Sequence, residues 1–370
     1  MELAQVELRR VHLPLVAPFR TSFGTERDRD ILLVKVTTDQ GVSGWGECVA
    51  IAEPLYSAEY VSGAQEVIRD FLVPRLWGVR ELTAPRVAPA LAGVKGHRMA
   101  KAALEMAVLD AQLRATGEPL AEYLGAVRDA VPAGVSVGIA ESVPALLDAV
   151  AGYLAEGYRR IKLKIEPGWV VAPVRAVRER FGDIPLQVDA NAAFGLADAG
   201  LLRQLDAFDL LLIEQPLAEE DLREHAALAR LLRTPICLDE SITSAKAAAD
   251  AIALGACRVV NIKPGRVGGL LEARRVHDVC AANGVPVWCG GMLETGLGRA
   301  ANLALAALPN FALPGDVSAS RRYWRRDITE PFVLEDGHMR VPGGPGLGVR
   351  LDEAWLGEIT SSVQRLTPPA

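Results

Sequence analysis

No apolar run in this 370-residue chain approaches the ~18–20 residues needed to cross a bilayer, so a membrane-spanning helix is not expected. The opening stretch, "MELAQVELRRVHLPL", is charged throughout and lacks the apolar core of a secretion signal, which points to a cytoplasmic protein. Cysteines are few: five, at 48, 237, 257, 280 and 289, with no C-x-x-C pair. That excludes a disulfide framework or a cysteine zinc site and suits reduced thiols. The five histidines, at 12, 97, 225, 277 and 338, make no H-x-x-x-H pair, so any metal must lean on carboxylates. There is no excess of positive charge either. A net charge of -6 argues against nucleic acid or an anionic membrane as partner.

What the chain does have is apolar residues, half of its composition, in two textures. Through residue 125 the pattern is mixed. "AQVELRRVHLPL" and "ILLVKVTTDQGVSGWGEC" alternate like strands, the second reading as a hairpin that turns at Asp39-Gln40-Gly41. Between them, "VAPFRTSFGTERDRD" reads as a loop carrying Phe19 and Phe23, either a lid or an irregular connection. Residues 57–117 read as helices, the clearest being "RMAKAALEMAVLDAQLRATG", stopped by Gly117.

Beyond residue 130 the texture changes to short apolar runs, each followed by an alanine- and leucine-rich helical stretch. The runs are "AGVSVGI", "RRIKLKI", "LQVDANA", "DLLLIEQP", "PICLDES", "RVVNIKPG", "VPVWCGGM" and "FALPGDVS". Apolar strands alternating with helices indicate a parallel sheet covered on both faces, and eight such units indicate a (β/α)8 barrel. The tail "PFVLEDGHMRVPGGPGLGVRLDE" is hairpin-like and is expected to return to the N-terminal region. The expected fold is therefore α/β: a modified (β/α)8 TIM barrel over residues 126–322, capped by an α+β domain from residues 1–125 and the tail 323–370.

Five charged residues end consecutive runs: Lys164, Asp189, Glu214, Asp239 and Lys263. They stand 25, 25, 25 and 24 residues apart, about the length of one βα unit. The same strand-end position thus recurs five times, at the face where barrel active sites are built. Alternation puts Lys162 on the same face as Lys164. That face must be the barrel axis, because lysines facing the helices would be buried without partners. Three carboxylates at adjacent strand ends make a hard oxygen site suited to Mg²⁺ or Mn²⁺. Lysines on either side of them give a proton-transfer geometry. Lys164 can act as a base if desolvation and the like charge of Lys162 lower its pKa.

These residues resemble the enolase superfamily, in its muconate-lactonizing-enzyme subgroup. The resemblance rests on "KLK" at 162–164, on "VDAN", "IEQP" and "LDES", and on "NIKPGRVGG", and it covers nearly the whole chain. It implies that Asp189, Glu214 and Asp239 bind Mg²⁺ and that Lys164 and Lys263, with Lys162 beside them, do the acid–base work without an organic cofactor. The stretch "VPVWCGGMLETGLGRAANLALAALPNFALPGDVSASRRYW" looks like the branch of o-succinylbenzoate synthases and N-succinylamino acid racemases. That branch implies a small carboxylate substrate, an α-proton abstracted to give an enediolate, and a homo-oligomer. In the synthase reaction Lys164 would abstract the proton while Lys263 stabilises the anion. In the racemase reaction the opposite lysine would return the proton.

Dipeptide epimerases carry Asp-x-Asp at the eighth strand, whereas this chain reads Asp316-Val317-Ser318, which suits an N-acylated or non-amine substrate. Another activity of the subgroup, dipeptide epimerase or muconate cycloisomerase, and a non-catalytic barrel remain the alternatives. Further candidates carry two readings each. Asn191 orders the metal site or caps a helix. Glu240 partners a lysine or makes a buried salt bridge. Arg266 tunes Lys263 by repulsion, or pairs with Asp239 or Glu240, or lies on the surface. Phe19, Phe23 and Tyr56 touch substrate or pack between domains. Ser136 touches substrate or nothing. Gly290 and Gly291 offer N–H groups to a substrate carboxylate or only turn the chain. Met292, Asp316 and Ser318 complete the expected substrate contacts.

Overall fold

The computed structural model describes residues 1–369, whose strands gather into three sheets. In the first, β1 (Leu3–Arg20), β2 (Thr25–Thr38) and β3 (Ser43–Cys48) are antiparallel, and β14 (Thr360–Leu366) lies on the outer edge of β1. The stretch expected to be a loop between β1 and β2 is instead the far end of their hairpin. β1 runs to Arg20, β2 resumes at Thr25, and the Thr21 N–H donates to Gly24 O (2.8 Å) across the turn. The register shifts between Pro14 and Phe19, which lets Pro18, lacking an N–H, stand out of the ladder.

β3 shows how its sequence sets its packing. Gly44 and Gly46 face the helix Arg98–Thr116, where a Cβ on Gly46 would fall on Ala103 O and one on Gly44 on the backbone of Ala107 and Ala111. Glycines on the strand against alanines on the helix allow this close approach. Any side chain there would overpack the contact, at a cost of about 1–3 kcal/mol. Alternation then sends Glu47 to the opposite side, toward the second half of the chain. The helix stops at Gly117, which takes the left-handed conformation (φ 77°) that ends helices.

The second sheet holds seven parallel strands in chain order: β5 (Gly134–Val137), β6 (Arg160–Lys164), β7 (Leu186–Asp189), β8 (Ile213–Glu214), β9 (Ile236–Leu238), β10 (Val259–Ile262) and β11 (Val287–Cys289). It is barrel-like and alternates cleanly. Leu212, Cys237, Val259 and Trp288 form a small core of their own, on the same side as the charged strand ends. Ile213, Ile236, Leu238, Val260, Ile262 and Val287 join the large core under the helices. Helices are capped where the sequence supplies hydroxyls: Ser142 Oγ accepts from Ala145 N–H, and Ser244 Oγ from Ala247 N–H.

One expectation needs correction, and another is met by other residues than expected. The eighth run, "FALPGDVS", forms no strand. Phe311 bridges Val287 and Gly315 bridges Ala133, so the segment touches both edges of the seven-stranded sheet. Pro314 removes a donor in its middle, and the run cannot keep a regular ladder. The tail hairpin, β12 (Leu334–Glu335) and β13 (His338–Arg340), pairs with β4 (Ala130–Pro132) below the parallel sheet. The tail still returns to the N-terminal region as expected: Leu120 N–H donates to Gly346 O (2.8 Å), Leu347 N–H donates to Asp110 Oδ1 (2.8 Å), and β14 joins the N-terminal sheet. Among the described residues no helix is long and apolar enough to cross a membrane.

Candidate active site

Arg160, Lys162 and Lys164 share one face of β6, and that face looks onto the carboxylates of neighbouring strands. Lys164 and Asp189 are direct register partners, as are Asp189 and Glu214. Lys164 Nζ lies 2.6 Å from both Asp189 Oδ2 and Asn191 Oδ1. Lys162 Nζ reaches Glu214 (3.0 Å), Asp189 (3.2 Å) and Asp316 (2.6 Å), above the Trp288 ring (4.8 Å). Lys263 follows β10, four strands from β6, with Nζ 2.7 Å from Asp239 Oδ2 and 3.1 Å from Tyr56 OH. Two lysines on one buried strand are thus compatible with the core, because Asp189 and Glu214 from the next two strands, together with Asp316, meet them.

The three expected metal ligands lie together but are not arranged as a ready cage. Among the described residues no three acidic, cysteine or histidine side chains enclose an ion position. Lys162 bridges Asp189 and Glu214, while Asp239 is engaged by Lys263, Tyr56 and Arg266. The groups titrate accordingly. Burial would raise Asp189, but Lys164 and Lys162 outweigh it and hold the carboxyl well below its usual range. Burial, reinforced by Asp189, raises Glu214. Burial lowers Lys164, and Lys162 adds to the effect, as expected for a base. Burial also pulls on Lys162, where Asp316, Glu214 and Asp189 win and raise it.

A cavity opens over these groups and is lined by Lys164, Lys263 and Lys162. The end of the β1–β2 hairpin closes it. Phe19 is buried and Phe23 half-buried in its wall, and Ser22 Oγ donates to Ala190 O (3.0 Å) beside the carboxylates. Tyr56, Ser136, Gly291, Met292 and Asp316 line it too. Ser136 Oγ is buried with no partner, free for a ligand. Asp316 is committed to Lys162 and to Arg160 (2.8 Å). Two expectations fail here. Ser318 is turned away, its hydroxyl donating to Gly134 O (3.2 Å), because the eighth segment is not a strand whose alternation would aim it inward. The Gly290 N–H is spent on Ile262 O (3.2 Å) and cannot serve a substrate.

Glu240 and Arg266 stand behind the carboxylates, and Asn191 links Glu240 to the cavity wall. The Asn191 N–H donates to Asp189 Oδ1 (3.0 Å) and its side-chain amide to Glu240 Oε1 (2.9 Å). Burial pushes Glu240 up to about 7. Arg266 is buried, not on the surface. It pairs with Asp239 and donates to Ile242 O (2.8 Å) and Asn261 O (2.6 Å). The sequence reading missed Asn261, whose amide donates to Glu214 Oε1 (2.6 Å), and Arg160. Each lies two residues before a lysine already singled out, so alternation would have found both. It also missed Gln215, in the left-handed region (φ 35°), which accepts the N–H groups of Asp239 (3.0 Å) and Ser241 (3.2 Å) and so ties the ends of β8 and β9.

Comparison with known proteins agrees with this geometry. Residues 4–125 match the mandelate racemase / muconate lactonizing enzyme N-terminal domain, and residues 145–355 match the enolase C-terminal domain-like family. The chain is 67% identical over 363 residues to an N-succinylamino acid racemase from Amycolatopsis sp., covering 98% of each. It is 51% identical over 354 residues to an o-succinylbenzoate synthase from Geobacillus kaustophilus, covering 95% of this chain and 94% of that one. A solved structure of an enolase-superfamily member from Listeria innocua superposes with a TM-score of 0.95 at 40% identity, covering 99% of both chains.

Proposed function

Since the chain belongs to the enolase superfamily, with the mandelate racemase / muconate lactonizing enzyme proteins, we propose that it removes the proton α to a substrate carboxylate. The reading is o-succinylbenzoate synthase and/or N-succinylamino acid racemase, the activities named for its similar relatives. The observation that carries it is the placement of Lys164 and Lys263. They line one cavity from strands four places apart, with the three carboxylate-bearing strands between them. With segment 311–316 touching both sheet edges, we read the ring as a modified (β/α)8 barrel, which sets the two lysines on opposite walls. Residues 1–125 and the tail 323–370 form the cap around residues 126–322. A cytoplasmic homo-oligomer without nucleic-acid or membrane partners completes this reading.

The donor set suits a hard divalent cation: carboxylates only, buried, on consecutive strands, with the unpartnered Asn261 Oδ1 beside Glu214. Asp189, Glu214 and Asp239 would hold Mg²⁺ or Mn²⁺, which would offset the negative charge that builds on the substrate carboxylate. Arg160, Lys162, Lys164, Lys263 and Arg266 balance Asp189, Glu214, Asp239, Glu240 and Asp316 in formal charge. A dication would add positive charge to this set and so favour an anionic substrate.

In racemisation, Lys164 takes the α-proton from one face and the Lys263 ammonium delivers a proton to the other. The roles exchange for the opposite enantiomer. In the synthase reaction Lys164 takes the proton and the hydroxyl leaves from the same side, so that the ring becomes aromatic. Lys263 stays an ammonium facing the enediolate charge. The hairpin aromatics Phe19 and Phe23 exclude water from this exchange. With Asp316 committed and serine at 318, no free pair of acids awaits a dipeptide amine.

The test is α-proton exchange in D2O with N-succinyl-phenylalanine, a dipeptide and muconate in parallel, with and without Mg²⁺. Exchange confined to the N-succinyl substrate and dependent on the cation is expected. Preferential exchange of the dipeptide, or turnover of muconate alone, would overturn the substrate assignment. Exchange of none of them, with Mg²⁺ bound, would favour a non-catalytic barrel.

A further inference from the structure

Glu47 is buried on β3, facing away from the glycine-lined contact with helix Arg98–Thr116. Its carboxylate accepts three hydrogen bonds, all from the barrel half: Thr295 N–H (3.0 Å), Thr295 Oγ1–H (2.6 Å) and Gly298 N–H (3.0 Å). These donors form the N-terminal end of helix Gly296–Ala306, where the first N–H groups have no helical acceptor and a negative charge is favoured. The cap thus supplies, from 248 residues away, the acceptor that this helix start requires, and burial pushes the Glu47 carboxyl up to about 7.

The turn immediately before that helix carries Gly291, Met292 and Leu293 into the cavity wall. Leu293 sits at φ 57°, a left-handed conformation that a residue with a Cβ resists. The turn is held from behind by two carboxylates. Glu294 Oε1 accepts the Met292 N–H (2.8 Å) and the Asn302 amide (2.9 Å), and Glu47 fixes Thr295. Position 298 is glycine because a Cβ there would stand 2.7 Å from Glu294 Cγ and 3.0 Å from Glu47 Oε2. Neither lysine of the proton-transfer pair belongs to this turn.

We propose that Glu47 is the positioning residue through which the cap holds the substrate-facing turn 290–295, and that it thereby sets how tightly the cavity grips and discriminates substrate side chains. The substrate half of this statement rests on the function proposed above. The coupling of cap to turn does not. Without the carboxylate, three buried donors lose their acceptor and Leu293 is free to relax. The wall moves while Lys164 and Lys263, held by other strands, stay in place. The defect should therefore fall on KM and on side-chain preference, with kcat largely spared.

The experiment uses the full chain with Glu47→Ala and Glu47→Gln, and two readouts. The first is amide hydrogen exchange by mass spectrometry. In Glu47→Ala, exchange over 290–300 should accelerate by about tenfold or more relative to the rest of the chain, because buried donors lose their acceptor. The second is steady-state kinetics with N-succinyl-phenylalanine and N-succinyl-alanine, which share the acyl group and differ in the side chain. KM for the phenylalanine substrate should rise by about tenfold, that for alanine less, with kcat changed by under about threefold. Glu47→Gln, which keeps one acceptor oxygen but sets its amide N–H against one of the two backbone donors, should recover part of the loss in both readouts.

Unchanged exchange over 290–300 in Glu47→Ala would overturn the coupling. Faster exchange with unchanged KM and side-chain preference would overturn the specificity role. If Glu47→Ala does not fold, Thr295→Val, which deletes the hydroxyl bond to Glu47 and the cap bond from Leu297 N–H (3.3 Å), should give the same pattern at smaller amplitude, and its absence counts against the proposal. If the unaltered protein turns over neither substrate, the proposed function fails, and the exchange readout alone still decides whether Glu47 holds the turn.

Discussion

Lys164 and Lys263 line the same cavity from opposite ends of the carboxylate row, but their surroundings pull them in different directions. Lys164 has one carboxylate at hand, Asp189, and an amide, Asn191; burial lowers its pKa and Lys162 lowers it further. Burial also acts on Lys263, but its neighbours Tyr56, Glu240, Glu214 and Asp189 outweigh burial and raise its pKa. One wall presents a group ready to accept a proton, and the other a group that keeps its proton. Dehydration needs one base and one lasting cation, which is what this asymmetry offers. Racemisation asks Lys263 to serve as a base for one enantiomer, against its surroundings.

The most severe way to break the comparison is to remove each lysine. Lys164→Ala and Lys263→Ala should each abolish exchange of a different N-succinylamino acid enantiomer, by on the order of 10³-fold or more. Lys263→Arg should keep the positive charge, and so retain part of the synthase activity, while losing exchange on its own face. Proton NMR of each enantiomer in D2O separates the faces. Loss of the same enantiomer in both alanine variants would contradict the opposed walls.

A milder change sharpens the contrast. Tyr56→Phe removes the hydroxyl that meets Lys263 and Asp239 but keeps the ring against Phe23 (centroids 6.0 Å apart), so it should slow the Lys263 face by about tenfold. Asn191→Ala should do the same to the Lys164 face. Equal slowing of both enantiomers in either variant would mean that the residue serves the site as a whole. The smallest effect is in pH dependence. A lowered pKa makes Lys164 a neutral base at lower pH, and a raised one delays Lys263 to higher pH. The rising limb of the rate profile for the enantiomer served by Lys164 should therefore lie at lower pH than that of its mirror image. Coincident limbs would show that the two walls titrate alike in the working enzyme.

Much of the site could be read from one sequence because it is built from repetition. Strand alternation aims Lys162 with Lys164, and a unit length of 24–25 residues brings Asp189, Glu214, Asp239 and Lys263 to the same height. Where regular structure stops, so does that reasoning. Ser318 stands where dipeptide epimerases carry the second acid of Asp-x-Asp, but Pro314 and Gly315 interrupt the strand that would aim it inward, and its hydroxyl turns to Gly134 instead. The hairpin end near Phe19 looked like a loop because two prolines and a charged run hide its alternation. Contacts delivered by the cap leave no periodic trace at all. Tyr56 meets Lys263 across 207 residues and Glu47 meets Thr295 across 248. Finding such pairs requires the fold.

The pairing of β14 with β1 has a consequence in time. Glu7 on β1 receives the Arg365 guanidinium of β14 from 358 residues further along the chain. At a synthesis rate of about 5–20 residues per second, the first strand waits on the order of tens of seconds for its outer neighbour. Throughout that interval its edge is open to any other strand, including the same strand of a neighbouring nascent chain. β14, made that much later, is the strand that closes off that hazard.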